Sequence, residues 1–123
     1  MEYSTFGRHI IVDLWETDFF LLNDCELLKH HLVTASAICG ATVLSVSEKI
    51  FQPNGVTVLV LLSESHISIH TYPEKGFAAI DCYTCGTAVD PEKAINYMLG
   101  ILKPGRFYIN KLVRGLGEIA SMS

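Results

Sequence analysis

The sequence predicts an α+β fold, a two-layer sandwich in which an antiparallel sheet carries two helices on one face. Two observations predict it. Several short segments alternate apolar with polar residues and are joined by turn signals, and two longer segments repeat apolar residues at helical spacing. Half of the 123 residues are apolar, which is enough to bury one core. We therefore expect residues 1–123 to form a single domain.

The first third of the chain predicts a strand followed by a helix. Residues 7–15 are rich in β-branched side chains, which favour a strand. Asn23 or Asp24 can cap a helix whose apolar residues continue to Ile38. Gly40 suits the end of that helix.

The middle of the chain predicts three more strands. Residues 42–51 and 56–63 form a hairpin, because the Asn54-Gly55 pair between them is a strong turn signal. Residues 66–72 alternate, so the apolar side chains of this strand face the core. Its other face carries His66, Ser68, His70 and Tyr72. Such a polar and aromatic face predicts a ligand site, a dimer interface, or both.

The last third predicts a strand, a helix and a final strand. Residues 77–84 form the first of these. Asp90-Pro91 opens the second helix, since it supplies a cap and a proline at the first helical position. Pro104-Gly105 ends that helix, and residues 106–113 form the last strand.

Composition argues against several classes of protein. The net charge is −4 with nine Lys and Arg residues, so no basic face is predicted for nucleic acid. The longest aliphatic run, Val58–Leu62, is far shorter than the roughly 20 residues of a membrane span. Residues 1–5 show no signal-peptide pattern. We therefore expect a cytoplasmic protein without a membrane partner, and its four cysteines as free thiols.

Two motifs resemble metal or redox sites but fit their strands poorly. His66 and His70 lie about 13 Å apart in a strand, too far to share one ion, so we predict no metal site. Cys82 and Cys85 have the spacing of a redox pair but face opposite sides of a strand. This places Cys82 in the core and disfavours a thiol-redox protein. Cys85 lies beside the Gly86 turn, where reactive groups are common.

The polar segment 63–66 interrupts two apolar strands and can be an ordinary turn. A Ser-His-Asp arrangement could use Ser65, His70 and Asp81, although spacing alone supports it weakly. The Gly-x-Ser-x-Gly pattern of hydrolases is absent.

Four segments together are more specific. Residues 62–74 (LSESHISIHTYPE) resemble the processing-site motif of the small bacterial and archaeal S-adenosylmethionine decarboxylases. The resemblance continues through residues 77–86 and is also seen at residues 7–9 and 51–56. It implies a proenzyme that acquires a pyruvoyl cofactor and supplies aminopropyl groups for spermidine synthesis.

The resemblance implies self-cleavage between Glu64 and Ser65. The Ser65 hydroxyl attacks the Glu64 carbonyl, and the resulting ester is eliminated to leave a pyruvoyl group derived from Ser65. The products are a β chain of residues 1–64 and an α chain of residues 65–123. The processing histidine of the family corresponds to His70, and a processing hydroxyl, usually serine, corresponds to Thr57.

The resemblance also assigns substrate residues and an assembly. The pyruvoyl carbonyl forms a Schiff base with the substrate amine, and Cys85 matches the acid that protonates the carbanion. Phe51 and Tyr72 match two aromatics that stack on the adenine, and Glu74 matches a carboxylate that binds the ribose. The family implies a dimer of αβ protomers with active sites at or near the interface.

Two alternatives keep the fold and change the function. Some relatives are thought to decarboxylate ornithine or arginine, but retention of Phe51, Tyr72 and Glu74 disfavours this. A non-catalytic small-molecule-binding paralogue is disfavoured because Ser65, His70 and Cys85 are intact.

Overall fold

The computed structural model describes residues 5–122, which form one seven-stranded antiparallel sheet with helices on one face. The strands are β1 Gly7–Trp15, β2 Val43–Ile50, β3 Val56–Leu62, β4 Ser65–Tyr72, β5 Phe77–Cys85, β6 Arg106–Arg114 and β7 Ala120–Ser121. Their order across the sheet is β2-β3-β4-β5-β1-β6-β7.

Aspartates cap the helices, which are α1 Phe19–Leu22, α2 Cys25–Ile38 and α3 Pro91–Leu102. The side chain of Asp24 accepts a hydrogen bond from the backbone N–H of Leu27, at 3.1 Å. Asp90 does the same for the N–H of Glu92. Each such cap contributes about 1 kcal/mol to stability. A 3₁₀ turn, Pro73–Lys75, connects β4 to β5.

The α+β sandwich is confirmed, with two additions that the sequence did not predict. Helix α1 has four residues, too few to show a helical period, and β7 has two. The bounds of the predicted elements differ from the observed ones by about one residue. None of the helices within residues 5–122 combines the length and apolar character needed to cross a membrane.

The core lies between the helices and one face of the sheet. Its buried aliphatic side chains each contribute roughly 1.5–3 kcal/mol relative to exposure. The largest are Ile10, Leu14, Leu22, Leu28, Leu32, Ile67, Ile69, Ile95, Met98 and Leu102. The alternation predicted for β4 is confirmed, because Ile67 and Ile69 belong to this core.

In the described part of the chain, no helix covers the other face of the sheet, here called the open face. A shallow depression of about 730 Å³ lies there and spans five strands, from Ser45 on β2 to Ile11 on β1. Leu59 and Leu61 line it with 46% and 51% of their surface exposed. Adjacent exposed aliphatic residues of this kind indicate an interaction surface.

The sheet interleaves the two halves of the chain. Strand β1 lies between β5 and β6, although it comes first in sequence. Three strand pairs, β3–β4, β1–β5 and β1–β6, therefore join residues 5–64 to the rest of the described chain.

Candidate active site

Ser65 lies at a tight turn between β3 and β4. It pairs with Leu62, so Ser63 and Glu64 form the whole connection. The φ angle of Ser65 is 146°, a backbone conformation that residues with a Cβ atom adopt only under strain. The strained torsion is adjacent to the peptide bond between Glu64 and Ser65.

The main-chain carbonyl and the side-chain carboxylate of Glu64 both accept hydrogen bonds from backbone amides. Its carbonyl oxygen accepts a 2.8 Å hydrogen bond from the N–H of Cys85. Its carboxylate accepts a 3.0 Å hydrogen bond from the N–H of Thr42. This second bond is the main reason why the pKa of Glu64 lies below its ordinary value. These two hydrogen bonds therefore fix the position of Glu64 in the turn, and the N–H of Cys85 polarises the Glu64 carbonyl.

The two cysteines of β5 face opposite sides of the sheet, as predicted. Cys82 is fully buried, and burial raises the pKa of its thiol. Cys85 is exposed, so it is accessible to a substrate, unlike Cys82.

Cys85 pairs with Gly7 of β1. A Cβ atom at Gly7 would lie 2.6 Å from the ring of Tyr83, so this glycine lets the ring lie against β1.

Thr57 and His70 form a direct pair. They are opposite each other in the β3–β4 register, and Oγ1 of Thr57 lies 3.0 Å from Nδ1 of His70. The structure thus brings together two of the predicted processing residues.

The predicted substrate-binding residues lie at the same end of the sheet as this pair. The N–H of Phe51 donates a 2.8 Å hydrogen bond to the carbonyl of Gly55 in the β2–β3 hairpin. Tyr72 ends β4, and Glu74 lies exposed in the following 3₁₀ turn. The rings of Phe51 and Tyr72 are about half exposed, so both present apolar surface to a ligand.

Within one chain, these residues are far from Ser65. His70 lies five positions after Ser65 along the strand, about 16 Å away, and Tyr72 lies seven positions after it, about 23 Å away. The structure therefore forms two groups at opposite ends of β4. Ser65 and Cys85 make the first, and the Thr57–His70 pair with the substrate residues makes the second.

A charged cluster that the sequence did not predict lies beside Ser65 on the open face. Oδ2 of Asp81 accepts hydrogen bonds from Nε2 of His9, at 2.8 Å, and from Nε2 of His66, at 3.0 Å. Oδ1 of Asp81 accepts a hydrogen bond from the hydroxyl of Ser68. Nδ1 of His9 lies 3.2 Å from the guanidinium of Arg114.

Asp81 is ionised in this cluster. Burial alone would raise its pKa, but the hydrogen bonds from Ser68, His66 and His9 outweigh it and lower the pKa below its ordinary value. The ligand atoms of His9, His66 and Asp81 lie within 4.8 Å of one another, close enough for one metal ion. Each of these three side chains already takes part in a hydrogen bond within the cluster. The positive charge of Arg114 beside His9 also opposes the binding of a metal cation there.

The Ser-His-Asp arrangement considered from the sequence is wrong in its histidine. Asp81 bonds to His9 and His66, whereas His70 bonds to Thr57. The single chain brings neither Ser65 nor Asp81 to His70. Sequence reasoning missed the cluster because His9 and His66 lie 57 positions apart and meet only through the strand order β4-β5-β1.

Comparison with known families shows which family the chain belongs to. A family model described as S-adenosylmethionine decarboxylase matches residues 8–115, which is most of the chain. The chain belongs to the S-adenosylmethionine decarboxylase family. The matched range includes the Ser65 turn, Cys85, the Thr57–His70 pair and the Asp81 cluster.

Individual relatives agree with the family model. The chain is 68% identical over 121 residues to S-adenosylmethionine decarboxylase proenzyme 2 of Bacillus cereus, covering 98% of each. It is 66% identical to the proenzyme of Brevibacillus brevis, covering 97% of this chain and 90% of the relative. The crystal structure of the adenosylmethionine decarboxylase from Aquifex aeolicus matches with a TM-score of 0.81 and 38% identity, over 98% of each chain.

Proposed function

We propose that this chain is a proenzyme that cuts itself between Glu64 and Ser65 and then decarboxylates S-adenosylmethionine. The product is the aminopropyl donor for spermidine synthesis. Family membership supports the reaction, and the polarised, strained turn at Glu64-Ser65 supports the place of the cut. The hydrogen bond from the Cys85 N–H to the Glu64 carbonyl is the observation that carries the proposal.

The turn provides what an acyl shift needs. As the Ser65 hydroxyl adds to the Glu64 carbonyl carbon, negative charge develops on the carbonyl oxygen. The Cys85 N–H already points at this oxygen and stabilises that charge, as in an oxyanion hole. Breaking the C–N bond also releases the strained φ angle of Ser65.

His70 and Thr57 act in the later elimination. Removal of the Ser65 α-proton breaks the bond from Cβ to the ester oxygen, releases the main-chain carboxylate of Glu64 and leaves dehydroalanine, which hydrolyses to the pyruvoyl group with loss of ammonia. The hydrogen bond to the Thr57 hydroxyl orients the imidazole of His70, a group suited to this proton transfer.

The pyruvoyl group derived from Ser65 would supply an electrophilic carbonyl that binds the substrate amine and withdraws electrons as carbon dioxide leaves. The exposed thiol of Cys85, next to the register partner of Ser65, delivers a proton to the substrate α-carbon. Phe51 and Tyr72 stack on the adenine, and Glu74 binds the ribose hydroxyls.

The separation of the two groups supports a dimer with shared sites. About 16 Å of strand lies between Ser65 and His70 in one chain, so His70 reaches the Ser65 of a second copy. The open face supplies the surface for that copy, because Leu59 and Leu61 are exposed there and line the depression. The working unit is therefore a dimer of αβ protomers.

The two pieces stay together after the cut. Residues 1–64 and 65–123 remain joined through the β3–β4, β1–β5 and β1–β6 pairs, with β1 enclosed between two strands of the α chain. Separation requires breaking all three ladders at once. All four cysteines are free thiols, and three of them are buried, which suits a reducing compartment, so we place the enzyme in the cytoplasm.

The reaction is tested by release of carbon dioxide from carboxyl-labelled substrates. The processed protein should release it from S-adenosylmethionine and not appreciably from ornithine or arginine. Ser65→Ala should release none, because it cannot form the cofactor. Preferential release from ornithine or arginine would contradict the substrate assignment.

A further inference from the structure

The cluster around Asp81 fixes the protons of both histidines. An ionised carboxylate only accepts hydrogen bonds. Because Asp81 accepts from Nε2 of His9 and from Nε2 of His66, both of these nitrogens carry a proton. When either ring is neutral, its basic lone pair is therefore on Nδ1.

The two Nδ1 atoms have different surroundings. Nδ1 of His9 accepts a hydrogen bond from Arg114, whose guanidinium only donates. That lone pair is therefore occupied. Nδ1 of His66 instead faces the hydroxyl of Ser65, with 3.5 Å between Nδ1 and Oγ.

We propose that His66 is the base that takes the hydroxyl proton of Ser65 when the chain cuts itself. The inference rests on the proposed self-cleavage and assigns a residue to its first step. Asp81 is a positioning residue that sets the His66 tautomer and stabilises the imidazolium. The Oγ–Nδ1 distance is long for a hydrogen bond, and such contacts commonly shorten only as the reaction begins.

The step balances within the turn. The bond from Oγ of Ser65 to the carbonyl carbon of Glu64 forms while the hydroxyl proton passes to Nδ1 of His66. The bond from that carbon to the Ser65 nitrogen then breaks, and the imidazolium supplies the proton that the leaving nitrogen needs. An amide becomes an ester and an amine, and His66 returns to its starting state.

This role differs from that of His70. His66 acts on the hydroxyl proton before the ester exists, whereas His70 acts on the α-proton of the ester. Loss of His66 therefore leaves an intact amide. Loss of His70 leaves an ester, and hydroxylamine cleaves esters but not ordinary amides.

The test follows full-length chain on denaturing gels after rapid purification. In His66→Gln, the amide N–H can still donate to Asp81, but no basic nitrogen faces Ser65. We expect cutting to slow by about 10²–10⁴, the usual contribution of a positioned base, and the uncut chain to resist hydroxylamine. His30→Gln is the matched control, since His30 is exposed on α2, and it should be cut at the wild-type rate.

A second variant covers the case in which His66→Gln fails to fold. His66→Gly opens a space for added imidazole, and its cutting rate should rise with imidazole concentration. A rate independent of imidazole in the folded variant would overturn the proposal. Cutting of His66→Gln at the wild-type rate would also overturn it. So would a His66→Gln chain that stalls as the ester, which hydroxylamine would reveal by cleaving it. Failure of the wild-type chain to cut would instead overturn the proposed function, and this inference with it.

Discussion

The amide of Cys85 and the carbonyl of Glu64 are joined by a 2.8 Å hydrogen bond that crosses from the end of β5 to the β3–β4 turn. In the proposed mechanism, one residue thereby serves two steps through different atoms. Its backbone N–H stabilises the negative charge that develops on the Glu64 carbonyl oxygen during self-cleavage, and its thiol protonates the substrate carbanion afterwards. A side-chain substitution removes the second role and keeps the first.

Cys85→Ala should therefore cut itself normally and turn over slowly. The backbone N–H is retained, so full-length chain should disappear at the wild-type rate. Turnover should fall by about 10²–10⁴ because the positioned acid is lost. Protonation on the wrong carbon should convert the pyruvoyl terminus of the α chain into alanine, which its mass reveals.

Cys82→Ala is the matched control for that variant. Cys82 is fully buried on the opposite face, so the substitution should lower stability and leave turnover nearly unchanged. Near-normal turnover in Cys85→Ala, without an alanine terminus, would show that another group is the acid.

The strain at Ser65 predicts an unusual order of stability between two uncut variants. Neither Ser65→Gly nor Ser65→Ala can form the ester, so both stay full length. Glycine accepts the φ angle of 146° without strain, whereas alanine retains a cost of about 1–3 kcal/mol. Ser65→Gly should be at least as stable as Ser65→Ala in urea unfolding, although glycine normally costs entropy. A clearly more stable Ser65→Ala would show that the turn is unstrained.

Co-expression of two inactive chains tests the shared site. Ser65→Ala keeps His70 but has no nucleophile, and His70→Ala keeps Ser65 but stalls during processing. In mixed dimers, the His70→Ala chain receives His70 from its partner. With equal random pairing, about half of the His70→Ala chains should be cut, as measured by mass with distinguishable tags. If none is cut, His70 does not act across a dimer.

We expect Asp81 to contribute to stability in a pH-dependent way. The contribution is best measured in the Ser65→Ala variant, because no chain of that variant can cut itself. The pKa of Asp81 is lowered by folding, so its carboxylate stabilises the fold above its ordinary pKa, near 3.9. That contribution is lost as the pH falls through the lower, folded-state pKa. Adding Asp81→Asn should reduce the free energy of unfolding at pH 7 and reduce it less at pH 3. An equal loss at both pH values would contradict this.

The sequence predicts local features of this fold well. Strand and helix bounds depend on alternation, caps and turns that lie within a few residues, such as Asp24, Asp90 and Asn54-Gly55. The opposite orientation of Cys82 and Cys85 follows from the same alternation, and the structure confirms it.

Contacts that depend on strand order could not be predicted. His9 and His66 meet at Asp81 because β5 lies between β4 and β1, and nothing local specifies that order. The sequence also left Ser65 in a turn before the predicted strand of residues 66–72, so its distance from His70 stayed open. The structure begins β4 at Ser65, and this fixes the separation.

The mass of the purified wild-type chain under denaturing conditions shows directly whether the chain cuts itself. Self-cleavage between Glu64 and Ser65 should give two species, residues 1–64 and residues 65–123, of which the second is lighter than the serine-terminated peptide by the mass of ammonia. That species should resist Edman sequencing because a pyruvoyl terminus has no amine, and Ser65→Ala should remain one full-length chain. A wild-type chain that keeps its full mass after prolonged incubation would show that it does not cut itself.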